Sequence, residues 1–329
     1  MEAPLIEFVG VTFDFDVSRP PLRRLLSGEP RRRIRAVNDV SFAIRRGTTL
    51  SLVGESGCGK STIARLAVGL YTPKSGEIRF GGQNIVEAMR QGGARRQMNM
   101  IFQDPFASLN PRWRAGDIIA EPIRTFGLEE NEASVRRQVE ILLTGVGMAA
   151  ADGDKYPHEF SGGQRQRISI ARALASEPVF LVCDEPASSL DVSVQAQILN
   201  MMMDLQQRLG LTYLFISHNL AVVRQMSDTL GVMYLGRIIE LGAAETIYQD
   251  PLHPYTKLLL DAIPDLNQIG RARPPMRGDS PGLISPPAGC AFHPRCPLAD
   301  ARCREEPPRL HEARGRVTAC HAVEQGRVK

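Results

Sequence analysis

The run Gly54-Glu55-Ser56-Gly57-Cys58-Gly59-Lys60-Ser61-Thr62 contains the spacing G-x-x-x-x-G-K-[ST], and those residue types in that order bind phosphate. Glycines let the backbone curl until several N–H groups converge on one anion, with the positive end of the following helix behind them. Lys60 would reach the β- and γ-phosphates of a nucleoside triphosphate, and the Ser61 hydroxyl would ligate Mg²⁺. The context fits this reading. The apolar run Thr49–Val53 precedes the loop as a predicted strand, and a helical pattern follows from Thr62.

Further candidates stand just past apolar runs. Asp184 and Glu185 follow Val179–Cys183, whose unbroken apolar character predicts a strand buried on both faces of a parallel sheet. Carboxylates at the carboxyl end of such a strand face the ligand crevice. Asp184 suits Mg²⁺, directly or through water, and Glu185 is placed to polarise an attacking water as general base. Gln103 closes the run Met98–Phe102 and offers an amide oxygen to the metal or the water. His218 follows Thr212–Ile216 and would hydrogen-bond the γ-phosphate. Taken singly, the Gln and the His read as structural; their shared position at strand ends favours chemistry. Ser161-Gly162-Gly163-Gln164 opens another helix with small residues and exposed N–H groups, Ser161 as N-cap and Gln164 three residues on. A single phosphate needs only one cradle. The second one predicts a nucleotide held between two subunits, each supplying a different half.

The elements that position these residues alternate in type. Strands are predicted at residues 6–9, 40–44, 49–53, 77–80, 98–102, 179–183, 212–216, 229–234 and 238–241. One helix carries Ile63, Leu66, Ala67 and Leu70 on a single face and is expected to end near Tyr71-Thr72-Pro73. Others are expected over residues 131–143 and 161–175, and from Asn219. Val194, Ile198, Met201, Leu205 and Leu209 form a helical stripe read as core packing. Such alternation gives a parallel sheet wound with crossover helices.

Composition narrows the class. With 329 residues, 43% hydrophobic and 23% charged, the chain is neither disordered nor collagen-like. A net charge of +4 is too small to argue for nucleic acid. No apolar run spans a bilayer, and the first residues lack a signal-peptide core, so a soluble cytoplasmic chain is expected. Arg23, Arg24, Arg31, Arg32, Arg33 and Arg35 crowd a Pro/Gly-bearing segment read as an inserted, solvated loop, with anionic lipid as the functional alternative. Ten of the 23 prolines fall between Pro264 and Pro308, so a small loop-rich module is expected from there. Cys290, Cys296, Cys303 and Cys320 share this tail. Disulfides are disfavoured in a reducing cytoplasm, zinc lacks its usual closely spaced pairs, an iron–sulfur cluster also takes four thiolates, and free thiols are the simplest alternative.

Together with Phe102-Gln103-Asp104-Pro105, Leu181–Glu185, the turn Ser189-Leu190-Asp191 and Ser217-His218, these residues make the chain similar to an ATP-binding cassette subunit of the dipeptide/oligopeptide importer family. Asp191–Gln197, His253-Pro254-Tyr255-Thr256 and the tail Gly289–Pro297 narrow the resemblance, which covers essentially the whole chain. Phe160 stands where many cassette proteins have Leu, a change between apolar residues. The resemblance implies an α/β fold: a RecA-like P-loop NTPase parallel sheet, an antiparallel β subdomain, a helical signature subdomain over about residues 104–177, and a loop-rich extension. The cassette domain would cover residues 1–262 and the extension residues 263–329.

The same resemblance implies ATP and Mg²⁺ as ligands, with Asp191 joining the nucleotide-binding set and an aromatic stacked on adenine. Phe15 is assigned that place, with Phe13 its close competitor. It also implies a [4Fe–4S] cluster on the four tail cysteines. Lys60, Ser61 and Asp184 of one cassette would hold MgATP against Ser161, Gly162 and Gly163 of another, the same or a paralogous chain. Expected partners are two transmembrane permease subunits and, through them, a periplasmic or extracellular binding protein. The expected location is the cytoplasmic face of the membrane, as a peripheral subunit. Dipeptides, longer peptides, glutathione-like compounds and nickel complexes all stay open as cargo. A soluble cassette ATPase acting on nucleic acid or ribosomes is the rival, but it predicts tandem cassettes or a long coiled-coil insertion, and this chain has one phosphate loop and no sustained heptads. No nucleic-acid partner is expected.

Overall fold

Parallel strand order is what gathers the candidate residues. The computed structural model describes residues 3–18, 32–262, 282 and 286–328. In chain order the strands are β1 (Ile6–Asp16), β2 (Arg33–Ile44), β3 (Thr49–Val53), β4 (Ser75–Phe80), β5 (Gln83–Asn84), β6 (Met98–Ile101), β7 (Phe180–Asp184), β8 (Thr212–Ile216), β9 (Thr229–Tyr234), β10 (Arg237–Ala243), β11 (His311–Ala313) and β12 (Arg316–Thr318). One sheet is antiparallel with the order β2-β1-β4-β5. The other is mixed, in the order β11-β12-β10-β9-β3-β8-β7-β6, and its strands from β9 to β6 are parallel. Their carboxyl ends therefore share one edge, which is where ligands bind in open α/β sheets.

The central strands are buried on both faces, as their apolar runs predict. Phe180 and Val182 of β7, with Leu214 and Ile216 of β8, face the core shared with the antiparallel sheet. Leu181, Cys183, Tyr213 and Phe215 face the opposite core, which carries the helical subdomain. That period of two is the pleat of the strand. The helix after the phosphate loop, α1 (Lys60–Ala67), buries Ile63, Leu66 and Ala67 against the first of these cores. It stops earlier than its pattern suggests. The Leu70 and Tyr71 N–H groups both bond back to the Arg65 carbonyl, and Leu70 is 58% exposed.

The helical subdomain is built from α2 (Ala115–Phe126), α3 (Glu132–Gly145) and α4 (Gly162–Leu174). Asn131 and Ser134 form a reciprocal cap at the start of α3. The long helix α5 (Val192–Leu209) buries Ile198, Leu199, Met202 and Leu205. Met201 is only half-buried, and Leu209 is exposed where the helix gives way to Gly210. The expected stripe thus holds at its centre and shifts at its end. Two shorter helices matter for the site, α6 (Leu220–Met226) and α7 (Pro254–Asp261).

Two expectations change. Strands β1 and β2 run further toward the basic segment than their apolar runs indicate, so Arg33 and Arg35 are strand residues, and Arg35 pairs with Asp14 at 3.3 Å. Arg23, Arg24 and Arg31 lie outside the described residues. The described part of the tail is more structured than a loop: its hairpin β11–β12 joins the main sheet through Glu240↔Thr318 and Leu241↔Val317. Arg316 of that hairpin and Glu240 of β10 are both fully buried, with Nε 3.2 Å from Oε1 though not aligned as a hydrogen bond. Glu240 also accepts the backbone N–H groups of Leu252 and His253, each at 2.9 Å. Among the described residues no helix is long and apolar enough to cross a membrane.

Candidate functional site

The phosphate loop closes around its own lysine. Gly54 and Gly59 take φ of 152° and 110°, and a Cβ would stand 2.3 Å from the Met233 carbonyl oxygen at the first and 2.2 Å from that of Ala36 at the second. Only glycine lets the backbone come this near. The Lys60 ammonium, buried, donates to the carbonyls of Gly54 at 2.7 Å and Glu55 at 3.0 Å, with the Cys58 sulfur at 3.6 Å. Burial pushes the Cys58 thiol up. Ser56 and Gly57 are exposed at the mouth of the loop. Thr62 and Ile63 donate back to the Gly59 carbonyl as α1 begins.

At the ends of the neighbouring strands the oxygen ligands meet. Ser61 Oγ donates to Asp184 Oδ1 at 3.1 Å. Asp184 is buried, which lifts its carboxyl above the usual carboxylate range; the Ser61 bond opposes that rise and the charge of Glu185 adds to it. A cation at this spot would remove the cost of desolvation, and an alcohol beside a carboxylate is the hard-oxygen pair that Mg²⁺ prefers. Among the described residues no group of three or more His, Cys, Asp or Glu is arranged to hold a metal ion.

Glu185 is a hub. Its Oε2 accepts from Gln103 Nε2 at 3.1 Å and lies 3.0 Å from His218 Nδ1. With Glu185 as a carboxylate, that contact puts the His218 proton on Nδ1 and leaves Nε2 as the nitrogen for a phosphate oxygen. Oε1 takes no hydrogen bond among the described residues. The Glu185 backbone sits at φ 50°, a left-handed conformation that side-chain-bearing residues rarely adopt, and its N–H is tied to the Ile216 carbonyl at 2.9 Å. Strain held at a strand end beside the candidate base is the kind that collects at functional sites. The register Asp184↔Ile216 carries His218 to Glu185 from the next strand.

Ser161 and Gln164 form the expected reciprocal cap on α4: Ser161 Oγ accepts the Gln164 N–H at 3.3 Å, and Gln164 Oε1 accepts the Ser161 N–H at 3.0 Å. Gly162 is exposed and lies against Leu190, and a Cβ on Gly163 would meet Val194 at 2.5 Å. The signature turn thus packs on the segment around Asp191, which is exposed at the start of α5. Among the described residues, no hydrogen bond or ion pair of Gly54–Thr62 reaches Ser161–Gln164. The two anion cradles of one chain stay separate.

Phe13, Phe15 and Tyr71 form a ring cluster. Phe13 stacks on Tyr71 at 5.1 Å, whereas Phe15 meets Phe13 and Tyr71 edge-on at 5.0 and 5.8 Å. In the tail, Cys290, Cys296, Cys303 and Cys320 are free thiols whose pKa values are all raised, and the other three thiols add to the rise at Cys290. Burial is the main cause, pushing Cys290 to about 12 and Cys296 to about 11. Among the described residues they are not gathered into a metal-ligating group.

Sequence reasoning left three contacts unassigned. Tyr255 Oη accepts the Glu55 N–H at 3.0 Å, Arg295 pairs with the Glu55 carboxylate, and Tyr234 Oη accepts from Arg295 at 3.3 Å. Tyr255 and Arg295 lie in the two short runs, His253–Thr256 and Gly289–Pro297, that narrowed the resemblance without a role. His253 caps α7, its Nδ1 accepting the Tyr255 N–H at 3.0 Å, and burial holds its pKa down at about 3.

The chain resembles known proteins over most of its length. A family model described as "ABC transporter" matches residues 37–188, and one described as "Oligopeptide/dipeptide transporter, C-terminal region" matches residues 239–303. The chain is 48% identical over 299 residues to the oligopeptide transport ATP-binding protein AppF of Bacillus subtilis (strain 168), covering 88% of this chain and 89% of that protein. It is 49% identical over 296 residues to the di/tripeptide transport ATP-binding protein DppF of Pseudomonas aeruginosa (strain UCBPP-PA14), covering 89% and 91%. The solved structure of cbiO1 from Clostridium perfringens, part of the ABC transporter complex cbiONQ, superposes with a TM-score of 0.63 at 25% identity, over 75% of this chain and 92% of that one.

Proposed function

This chain belongs to the ATP-binding cassette transporter ATPases, among the oligopeptide and dipeptide transport ATP-binding proteins, and from that premise we propose how its own residues do the work. The protein is the ATP-hydrolysing, energy-coupling subunit of a peptide importer. The observation that carries the mechanism is the convergence of Gln103 and His218 on one oxygen of Glu185, beside the Ser61–Asp184 pair.

Loop backbone and Lys60 hold the triphosphate, with Phe15 against the adenine. Ser61, Asp184 and the Gln103 amide oxygen would hold Mg²⁺, which would supply positive charge to neutralise the phosphates. Glu185, oriented through Oε2, keeps Oε1 to accept a proton from the attacking water, and His218 offers Nε2 to the γ-phosphate. Because phosphoryl transfer asks mainly for position and charge stabilisation, completing the cradle should govern the rate. The exposed Ser161 and Gly162 and the half-buried Gly163, with Asp191, supply that completion to a second cassette, the same or a paralogous chain. Gln103 would sense the γ-phosphate and pass closure to two permease subunits at the cytoplasmic face of the membrane, which receive cargo from an external binding protein. The cassette fold at residues 1–262 and the extension at 263–329 are the parts assigned to these tasks.

Peptide cargo rests on the named relatives and on the matched C-terminal region. We also propose that Cys290, Cys296, Cys303 and Cys320 would take a [4Fe–4S] cluster if drawn closer together than they stand here; the support is four free thiols in one tail, three of which act electrostatically on Cys290. It would serve as a structural staple, and no step of hydrolysis passes through it.

Glu185→Gln tests the central claim. It should bind MgATP with wild-type affinity and lose hydrolysis by about 10²–10⁴-fold, the contribution of a positioned base. Unchanged turnover would remove Glu185 from that role, and loss of binding would mean that it holds the nucleotide instead. Uptake of a labelled dipeptide in cells lacking their own cassette subunits, restored by this chain with its cognate permease, tests the cargo.

A further inference from the structure

The C-terminal extension reaches into the phosphate loop. Arg295 sets its guanidinium fork on Glu55, Nη2 to Oε1 at 2.8 Å and Nη1 to Oε2 at 3.1 Å. The Arg295 side chain is 5% exposed and that of Glu55 21%, so the pair is largely shielded from solvent. Tyr234 Oη accepts from the same guanidinium, and the rings of Tyr234 and Phe292 lie 6.0 and 5.9 Å from its centre. From the other side, Tyr255 Oη takes the Glu55 backbone N–H. Both ends of Glu55 are therefore held from sequence far downstream; the separations are 200 for Tyr255 and 240 for Arg295.

Glu55 is an awkward residue for its place. It is second in a loop whose purpose is to gather N–H groups and a lysine around an anion, and its own carbonyl is one of the acceptors of Lys60. An uncompensated carboxylate there would repel the triphosphate, and partial burial would make that repulsion stronger than in water. A bidentate arginine cancels the charge and fixes the direction of the carboxylate at once.

We infer that Arg295 is a positioning residue for nucleotide binding: by neutralising and orienting Glu55 it lets the C-terminal extension set the affinity of the phosphate loop for ATP. This rests on the loop being the ATP site. The extension is then a determinant of nucleotide affinity as well as a mark of the family.

MgATP titration of the full-length protein tests this with wild type, Arg295→Gln, Glu55→Gln and the double variant. Arg295→Gln should raise Kd for MgATP about tenfold, equal to about 1.4 kcal/mol. Its kcat at saturating MgATP should stay within about twofold, as expected when binding alone is lost. Adding Glu55→Gln should recover the affinity to within about threefold of wild type, because the bare carboxylate is gone. A merely structural arginine would not be rescued that way. Wild-type affinity in Arg295→Gln, or a loss that the second substitution leaves in place, overturns the inference. If wild type itself binds no MgATP, it is the ATP site that fails.

Discussion

His253 makes the stability of this protein pH-dependent in a direction that can be worked out. In the folded chain its imidazole is fully buried, accepts the Tyr255 N–H and has a pKa of about 3; in an unfolded chain it would titrate near 6.5. Nearby, the Glu240 carboxylate on its backbone N–H is balanced by Arg316, so desolvation dominates. Above pH 6.5 neither state binds the proton. Below it the unfolded state does and the folded state does not, so stability falls with pH by about 1.4 kcal/mol per unit until the folded pKa is reached. Between pH 7 and pH 5 the loss from this one group is about 2 kcal/mol. His253→Asn isolates it, since Asn is a good N-cap that cannot charge. Urea unfolding of both proteins at pH 7 and pH 5 should show the wild type losing about 2 kcal/mol more than the variant. Parallel losses would mean that His253 is not buried neutral. The cap carries Tyr255 and through it the Glu55 N–H, so loop order and this pH dependence should move together.

Three further outcomes can be measured. Arg316→Met strips the partner from the buried Glu240 and should cost about 3–5 kcal/mol in denaturant unfolding, while adding Glu240→Gln should recover much of it. Phe15→Ala should weaken MgATP binding by about 1–3 kcal/mol, the worth of one base–aromatic stack, whereas Phe13→Ala should chiefly lower the melting temperature by opening the Phe13–Tyr71 stack. Anaerobically purified protein should carry iron and acid-labile sulfide, both lost in Cys303→Ser; their absence from wild type would leave the tail cysteines as plain thiols.

Strands buried on both faces were the most legible. Residues 212–216 and 229–234 fall where their apolar runs predict, and β7 is displaced by a single residue. Strands with one wet face were read short. In β1, Phe13 and Phe15 alternate with the acids Asp14 and Asp16, and in β2, Ile34 alternates with Arg33 and Arg35, so no apolar run marks them. The phosphate loop and the Ser161 cap are local motifs, and their internal bonds follow from spacing alone. What spacing does not encode is the order of strands. That β8 lies between β3 and β7 brings His218 within 3.0 Å of Glu185, and nothing within five residues of either announces it. The hairpin β11–β12 has three-residue strands, too short for a periodic signal, and the Arg295–Glu55 pair spans 240 residues.

That span has a consequence for how the chain is made. Domains form from the N-terminus onward as a polypeptide leaves the ribosome. Here the loop at residues 54–61 emerges before one of its clamps, residue 295, and β10 meets its outer neighbour only when residues 316–318 appear. A nascent cassette therefore waits for 240 further residues before its nucleotide loop is secured, and a chain stopped before residue 316 is left with an unpaired strand edge.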